Sequence, residues 1–426
     1  MKNYKALVIG SGPTGIGTAL GLENDCLVLE AGNEVGGFSM SIEINGAVFD
    51  YGGHSFHTPH PEVRDLVYSS LDMFEQKRDA RCLCFGDLIP YPFQKNYRQL
   101  SDPEIIKACE EGMKQTDDGQ GSAHFEDFIN RRFGPGISEH FMLPYNRKLW
   151  GRDLKRLASD WTSQRVAAPE GEKESFDKKG GVRKPLQGNT SVGYPAKGGF
   201  GEIWKTLGKK IQNVELGKRV VRIDPKGKKV YTQDNEVYAY ENLVSSMPIN
   251  SLLELIDDCP THLKELANQL DFLSLKLGLV VINHPVDTDI QRVYSAERHI
   301  PAHKTAINHN SSDYLRSLPK HGIMMEISEG PEKQLHRTDM KQWIAESLLE
   351  MQLIKSTSEI EQINIHDAKY AYPVPTHDRN EIVATIQNWL TPLKIFSVGR
   401  FGQWAYINSD EALHRGLLTG RTIASY

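Results

Sequence analysis

The amino-terminal residues show the order of apolar and polar positions that is typical of a dinucleotide-binding fold. The apolar run ALVIG at 6–10 predicts a buried strand, and the glycine-rich stretch SGPTGIG that follows predicts a turn entering a helix. A second apolar run, CLVLE, predicts another buried strand that ends at Glu30. Strand, turn, helix and strand in this order predict a doubly wound α/β domain of the Rossmann type.

The glycines of this first turn have the spacing GxGxxG. Gly10 and Gly12 permit a tight turn and a close approach of the backbone to a diphosphate, and Gly15 lets the helix pack closely on the strand. The helix amino terminus adds N–H groups and the positive end of a dipole. Glu30 is placed to accept hydrogen bonds from a ribose. We therefore predict a dinucleotide site here, rather than a glycine-rich turn without a ligand.

Patterns further along the chain predict that this domain is discontinuous. Residues 218–248 alternate like strands around a Pro-Lys-Gly turn, and residues 396–406 predict a last strand that leads into a helix. Helical patterns begin near 101, with Phe125, Phe128 and Ile129 on one face. The predicted division is a nucleotide-binding domain at 1–75, 185–250 and 365–426, an inserted helical domain at 98–184, and a substrate-side antiparallel sheet domain at 76–97 and 251–364.

Composition narrows the class of protein. A chain of 426 residues indicates two or three domains, and a formal net charge of -5 argues against a general nucleic-acid binder. No apolar run approaches the roughly 20 residues of a membrane helix, and the first residues pass directly into a strand pattern without a secretory signal. These features predict a cytoplasmic protein that binds neither nucleic acid nor membrane. The five cysteines fit no disulfide framework or zinc site, so we predict buried thiols and no metal.

Two further glycine pairs follow the first turn. Gly36 and Gly37 come shortly after Glu30, and Gly52 and Gly53 immediately precede His54. Repeated glycine pairs after the acid resemble flavoproteins of the amine oxidase and mutase superfamily, whereas NAD dehydrogenases normally lack them. The resemblance implies FAD as the cofactor. It also implies that the segment around Val220 contacts the adenine through its backbone.

Six sequence blocks extend this resemblance to one family. YPFQKN, FMLPYNRKLW, QRVAAP, GYPAKGGFGEIW, LVSSMP and GRFGQWAY occur in the order seen in UDP-galactopyranose mutases, closest to the eukaryotic-type branch. The match runs from near residue 8 to about 416 and is poor only at 251–365. The resemblance implies an isomerase that interconverts UDP-galactopyranose and UDP-galactofuranose. In that chemistry, reduced FAD attacks the sugar C1 through N5 and displaces UDP, the adduct opens and recloses, and UDP is added back.

The resemblance also implies roles for individual residues. The YPFQ segment would hold the uracil, with Phe93 stacking on the base and Gln94 bonding its edge. The implied catalytic residues are His54, Arg165, Lys304 and Arg400. The implied cofactor contacts are Gly10, Gly12, Gly15, Glu30, Gly36, Gly37, Gly53, His54, Val220, Arg400 and Asn408. The implied substrate contacts are Tyr91, Phe93, Gln94, Asn146, Trp150, Arg165, Asn189, Tyr294, Lys304, Tyr372 and Tyr406.

The chain departs from the family pattern at the diphosphate end. Lys304 stands where the family has an arginine, and Ser311 replaces a tyrosine; lysine lacks the planar fork that grips two oxygens. NADPH or NADH is the candidate reductant, since Arg78 matches an NADPH-contacting position, although Ala80 does not. The alternatives are a FAD-dependent oxidoreductase acting on another pyrimidine-nucleotide-linked substrate, an oxidase or desaturase of the amine oxidase type, and a non-catalytic nucleotide-binding flavoprotein. The oligomeric state is open.

Overall fold

The computed structural model describes residues 4–162, 166–167, 191–332 and 339–426. Two of the predicted site residues, Arg165 and Asn189, therefore lie outside the described residues. Within this part of the chain, two large sheets face one another across a cavity, and helices cover their outer sides. This mixed α/β arrangement confirms the predicted fold class.

The first sheet has five parallel strands contributed by segments that are far apart in sequence. Their order is β19-β13-β1-β2-β9, with β1 at Ala6–Ile9, β2 at Cys26–Leu29, β9 at Val214–Glu215, β13 at Asn242–Ser245 and β19 at Ile395–Ser397. Every residue of β1, β2 and β13 is buried. A parallel sheet covered on both faces explains why these strands are continuous apolar runs rather than alternating ones.

Helices cover both faces of this sheet. On one face lie α1 at Pro13–Gly21 and α13 at Ser409–Ala424. Their backbones meet closely: a Cβ added at Gly17 would lie 2.2 Å from the Leu413 carbonyl oxygen, so only glycine allows this crossing. On the other face, where Leu7 and Leu243 point, lie α8 at Ile249–Leu255, α9 at Thr261–Ala267 and α12 at Arg379–Leu390.

The second large sheet has seven strands in the order β18-β14-β17-β16-β15-β6-β7. These are β6 at Ala80–Cys84, β7 at Asp87–Pro90, β14 at Phe272–Ile282, β15 at Arg292–Ser295, β16 at Lys304–Ala306, β17 at His321–Glu329 and β18 at Ile360–Pro373. The β15–β6 pair is parallel and the others are antiparallel, so the predicted antiparallel sheet contains one parallel pair. Helix α11 at Met340–Glu350 covers one face, where Ile344 and Leu348 are buried.

Two features differ from the predicted division of the chain. Strand β18 runs across the proposed boundary at 364–365 and pairs with β14 along its length, so this boundary does not separate the two sheets. Helices α8 and α9, which were assigned to the substrate side, pack instead on the parallel sheet. The long apolar strand β14 pairs with β17 on one edge and with β18 on the other, which places β18 in the seven-stranded sheet. Helices α8 and α9 bury apolar side chains in one cluster with Leu7 and Leu243 of the parallel sheet.

The region after residue 98 is helical, as predicted. It contains α4 at Pro103–Met113, α5 at Phe125–Ile137, a π-helical turn at Ser138–Met142 and α6 at Leu143–Trp150. The Asp102 carboxylate accepts from the Glu104 and Ile105 N–H groups and so begins α4, with Pro103 in its first turn. Phe125, Phe128 and Ile129 are buried in one cluster, which confirms the predicted apolar face.

The remaining elements are small. They comprise the sheet of β10 at Val220–Asp224, β11 at Lys229–Thr232 and β12 at Val237–Ala239, the hairpin of β3 at Ser41–Ile44 and β4 at Ala47–Asp50, the pair of β5 at Met73–Lys77 and β8 at Ser191–Pro195, and the helices α2 at Pro61–Tyr68, α3 at Phe93–Asn96, α7 at Glu202–Gly208 and α10 at Asp313–Arg316. None of the helices described is long and apolar enough to cross a membrane. The five cysteines, all within described residues, are free, and four are buried.

Candidate functional site

A cavity of about 460 Å³ lies between the two large sheets. One wall consists of the loop after β1, the first turn of α1 and the start of α13, represented by Gly12, Thr14 and Ser409. The opposite wall consists of strands of the seven-stranded sheet, represented by Leu277 and Arg292. The carboxyl ends of parallel strands meet the cavity, which is the usual position of a ligand in an open α/β sheet.

The glycine-rich loops form one end of the cavity. Gly10 has φ +94°, a left-handed conformation, and a Cβ added at Gly15 would lie 1.8 Å from the Gly10 carbonyl oxygen. The second glycine pair packs on the first turn, because a Cβ at Gly37 would lie 3.3 Å from the Gly12 Cα. Gly10, Gly12 and Gly37 line the cavity, whereas Gly15 supports the turn from behind. These glycines form a cradle, a space next to the backbone that larger side chains at the same positions would fill. Such a space fits the diphosphate of a dinucleotide.

Glu30 lines the same end and is already held by the backbone. Its Oε2 accepts from the Ser11 N–H at 2.7 Å and from the Ser11 hydroxyl at 2.8 Å, and its Oε1 accepts from the Gly32 N–H at 2.7 Å. These bonds fix the carboxylate at the cavity, where a ribose could share its remaining lone pairs. Gly36 and Val220 do not belong to the cavity lining among the described residues; Val220 lies in β10.

The third glycine pair places His54 in the wall between the two sheets. The imidazole is partly buried, lines the cavity and stacks on Phe200, with ring centroids 4.7 Å apart. Burial, followed by the charge of Lys304, lowers the pKa of His54 to about 3, so the ring is neutral at neutral pH. Its Nδ1 has no hydrogen-bond partner within the described chain. A neutral imidazole with a free nitrogen is suited to hydrogen-bond a bound group.

Four cationic side chains line the cavity, namely Arg78, Arg292, Lys304 and Arg400. Arg292 donates to the Ser55 hydroxyl at 2.7 Å, and Arg400 donates to the Ile407 and Ala371 carbonyl oxygens at 2.6 and 2.9 Å. Their positive charge changes the pKa of Tyr294. Burial alone raises the pKa of this tyrosine, but Arg292, Arg78 and Lys304 outweigh burial and lower its pKa below the usual value. This wall is therefore positive and favours an anionic ligand.

Glu326 joins these groups and was missed by the sequence analysis. It is fully buried in β17, and its carboxylate accepts from Lys304 at 2.6 Å, from the Gly53 N–H at 3.0 Å and from the Tyr372 hydroxyl at 3.2 Å. Burial raises its pKa, but Lys304 and His303 outweigh burial and hold it well below its usual range. A signal existed in the sequence, because one acid interrupts the apolar run GIMMEI. Arg292, two residues before Tyr294, was also missed.

The predicted uracil-binding residues are not open to the cavity. Phe93 is fully buried, and Phe141 covers its ring at a centroid distance of 4.5 Å with planes 4° apart. Gln94 is buried as well and donates to the Ala167 carbonyl oxygen at 2.9 Å. Neither residue is part of the cavity lining in the described structure. In this structure Phe141 of the helical region stacks on the Phe93 ring, and the contact of Phe93 with a base stays a prediction.

Asn146 and Trp150 lie behind the cavity wall. Asn146 donates to the Met142 carbonyl oxygen at 2.8 Å, and Trp150 packs edge-on against Tyr372 and Tyr406 at centroid distances of 6.5 and 5.7 Å. Neither belongs to the lining of the described cavity. Trp150 therefore supports two of the tyrosines that do line it, whereas the hydrogen bond of Asn146 stays within its own helical segment.

The structure does bring the predicted tyrosines together. Tyr294, Tyr372 and Tyr406 line the cavity, and Tyr91 packs on Tyr294 with centroids 4.7 Å apart. Arg400 lies over the rings of Tyr372 and Tyr406, at 4.9 and 5.5 Å from their centroids. Asn408 lines the cavity immediately before α13. Ser311 is buried, and in the described residues it is not part of the lining, so its hydroxyl is no substitute there for a tyrosine.

Comparisons with known proteins agree with this geometry. A family model described as a NAD(P)-binding Rossmann-like domain matches residues 8–69. A crystal structure of reduced UDP-galactopyranose mutase is similar with a TM-score of 0.89 and 24% identity, covering 99% of this chain and 96% of that chain. A putative protoporphyrinogen oxidase from Exiguobacterium sp. 255-15 is similar with a TM-score of 0.73 and 14% identity, covering 100% and 99% of the two chains. Cyclohexylamine oxidase from Brevibacterium oxydans IH-35A is similar with a TM-score of 0.67 and 14% identity, covering 100% of this chain and 99% of that chain.

These similarities show that the chain shares its fold with this mutase and with both oxidases. The predicted resemblance to UDP-galactopyranose mutases is confirmed at the level of the fold, along almost the whole chain. Mutases and oxidases share this fold, so the reaction has to be argued from the site.

Proposed function

We propose that the protein is a flavin-dependent mutase that interconverts the pyranose and furanose forms of a nucleotide sugar, UDP-galactopyranose and UDP-galactofuranose or a related compound. The observation that carries this proposal is the positive wall of Arg78, Arg292, Lys304 and Arg400, which faces the glycine cradle across one cavity. A nucleotide sugar carries its negative charge on a diphosphate, and cationic donors are the groups that bind it. The substrate amine of an amine oxidase is often cationic and would be repelled here.

The cradle residues fit FAD as the resident cofactor. Gly10, Gly12, Gly37 and Glu30 would hold its diphosphate and ribose, and Asn408 would lie beside it at the start of α13. When bound in reduced form, the flavin supplies the nucleophile that sugar C1 requires. Arg78 lines the cavity and is available to contact NADPH or NADH as the reductant.

The chain's own residues would position the substrate and control charge. Arg292 and Lys304 would stabilise the departing diphosphate, and Glu326 would orient the Lys304 ammonium. His54 would offer a neutral nitrogen, because its depressed pKa keeps it unprotonated. Tyr372 and Tyr406 would bind the sugar hydroxyls and exclude water. Arg165 and Asn189, outside the described residues, remain proposed substrate contacts.

The test is an anaerobic conversion assay. The purified protein would be reduced with dithionite and mixed with UDP-galactofuranose, and the products separated by chromatography. We expect UDP-galactopyranose with the reduced protein and none with the oxidised protein. Arg292→Met should lower the turnover by about tenfold or more, because a hydrogen bond to a charged group contributes about 1.5–3 kcal/mol.

The matched control is Arg316→Met. Arg316 pairs with Asp289 at the surface, outside the cavity lining of the described chain, so its loss should leave turnover unchanged. Absence of conversion by a reduced protein that binds UDP would contradict the galactose substrate, and equal effects of the two substitutions would contradict the role of the positive wall.

A second candidate is a flavin-dependent oxidoreductase on another pyrimidine-nucleotide-linked substrate. The two oxidases that share this fold support it, since the fold alone is compatible with oxidation as well as with isomerisation. Hydrogen peroxide released with such a substrate would support this candidate. A protein that binds flavin and UDP yet turns over no sugar nucleotide and releases no peroxide would indicate a non-catalytic binding protein.

A further inference from the structure

Outside the cavity, two histidines and a glutamate converge between α2 and α13. The His60 Nε2 lies 2.7 Å from the Glu411 Oε2, and the His414 Nδ1 lies 4.0 Å from the same oxygen. The two imidazole rings are stacked, with centroids 3.7 Å apart. One possible ligand atom of each side chain, a ring nitrogen or a carboxylate oxygen, lies within 4.8 Å of the other two. The described residues contain no other such group of three.

Two of these side chains lie on a helix, and the third comes directly before another helix. Glu411 and His414 are three residues apart on α13, a spacing that places them on the same face of the helix. His60 immediately precedes α2 and makes no side-chain hydrogen bond to cap that helix, so its imidazole is not used there. Arg421 of α13 pairs with Glu62 of α2, which fastens the two elements beside the cluster.

Neighbouring contacts orient the carboxylate towards the two histidines. Arg415 donates to the Glu411 Oε1 at 2.8 Å, so Oε2 remains for His60 and His414. A second group that holds a ligating carboxylate or histidine is typical of metal sites. The side chains of His60, Glu411 and His414 are 10%, 27% and 23% exposed, so the cluster is partly shielded but open to an entering ion.

We propose that His60, Glu411 and His414 bind one divalent transition-metal ion, with Zn²⁺ as the representative. Two imidazoles and one carboxylate are a ligand set that suits Zn²⁺ and its first-row neighbours, and three protein ligands leave a position for water. Zinc–nitrogen bonds of about 2.0–2.1 Å require the His414 nitrogen to move towards Glu411. The ion takes the place of the hydrogen that bridges the His60 Nε2 and the Glu411 Oε2, and the neutral His60 ring then carries its proton on Nδ1, away from the ion.

The site would be coupled to the cavity through α13. The residues on either side of Glu411 in the first turn of α13 line the cavity, namely Ser409, Asp410 and Ala412. His57, three residues before His60, lines the cavity as well. A bound ion would therefore fasten the first turn of α13 to the segment that carries His54 and His57. None of the three ligands lines the cavity within the described chain, so the ion is separate from the reacting groups.

Direct metal binding tests this proposal. The full-length protein would be stripped with EDTA, dialysed and titrated with ZnCl₂ in a calorimeter, and Co²⁺ would be added separately to record visible absorption. We expect one ion per chain, visible Co²⁺ bands that Zn²⁺ abolishes, and a raised midpoint of thermal unfolding with metal. His60→Ala and His414→Ala should each weaken Zn²⁺ binding by about tenfold or more, since even residues that only support a ligand contribute about 10–100-fold.

The matched control is His284→Ala. His284 pairs with Glu359 at 2.8 Å at the surface, and among described residues this pair belongs to no group of three ligands, so Zn²⁺ affinity should not change. Glu411→Gln keeps the size of the side chain and serves if an alanine variant fails to fold. An absence of stoichiometric binding, or equal affinity in the wild type and the cluster variants, would overturn the proposal and leave the cluster as an ion pair with stacked rings.

Discussion

Lys304 of β16 binds Glu326 of β17 at 2.6 Å inside the molecule, where the two side chains are 12% and 1% exposed. The two residues are direct partners in the antiparallel register of these strands. The pair explains how a lysine is held at the cavity wall where the family resemblance implies an arginine. One carboxylate neutralises the ammonium and also accepts from the Gly53 N–H, so the position of Lys304 is tied to the loop that carries His54.

The first prediction concerns this buried pair. Lys304→Met leaves the Glu326 carboxylate buried without its closest cation and should lower the free energy of unfolding by about 3–5 kcal/mol. Lys304→Met combined with Glu326→Gln should recover most of that loss, because no uncompensated charge remains. Urea unfolding of the two single variants and the double variant measures the coupling. Additive effects would show that the two side chains do not interact.

The second prediction compares two glycines. Gly15→Ala would place a Cβ 1.8 Å from the Gly10 carbonyl oxygen, so the backbone of the cradle must shift. We expect a loss of about 3 kcal/mol or more and a strongly reduced flavin content. Gly46→Ala is the control: it has φ +84° with no atom within 4 Å, so only conformational strain of about 1 kcal/mol is expected. Denaturant unfolding measures the loss of stability, and flavin absorbance per chain measures the flavin content. Equal effects of the two substitutions would contradict the close packing at Gly15.

The third prediction separates packing from base recognition at Phe93. Phe93→Leu keeps an apolar side chain in the core but removes the ring that stacks on Phe141. Phe133→Leu changes a fully buried ring of the same cluster and should have a similar effect on stability. If Phe93 contacts the base after Phe141 moves, Phe93→Leu alone should weaken UDP binding. Calorimetric titration with UDP gives the answer, and equal UDP affinities in both variants would make Phe93 a core residue only.

The fourth prediction is a pH dependence set by Asp50. Burial raises the pKa of this carboxyl from 3.8 to about 6, although Ser41, Tyr194 and the Phe200 N–H stabilise its charged form. The folded protein therefore binds this proton more tightly than the unfolded chain does. The resulting stabilisation is complete below pH ~3.8 and is lost as the pH rises through about 6, in total on the order of 2–3 kcal/mol.

Asp50→Asn tests this dependence. The difference in unfolding free energy between wild type and variant should move in favour of the variant between pH 4.5 and pH 7, because the variant has no carboxyl to ionise. Urea unfolding at a series of pH values measures that difference. A constant difference across the range would mean that Asp50 has an ordinary pKa in the folded protein.

The fold and the cradle were predictable because their signals are local. The spacing of Gly10, Gly12 and Gly15 specifies a backbone conformation within one turn, and the apolar runs of β1 and β2 specify buried parallel strands. The base-binding role of Phe93 did not follow from the same kind of evidence. Whether an aromatic face is open depends on Phe141, which approaches it only after the helical region has packed.

The sequence by itself determined the α/β class and the glycine cradle with Glu30, and its family resemblance pointed to Lys304, Arg400 and the tyrosines of the cavity but not to Arg292. Only the tertiary structure decided how these groups are paired. Glu326 accepts from the Gly53 N–H across 273 positions of sequence, and no local pattern encodes which residue such a buried carboxylate will meet. Burial then makes that pairing obligatory, because a charge removed from water has to find compensating partners inside the fold.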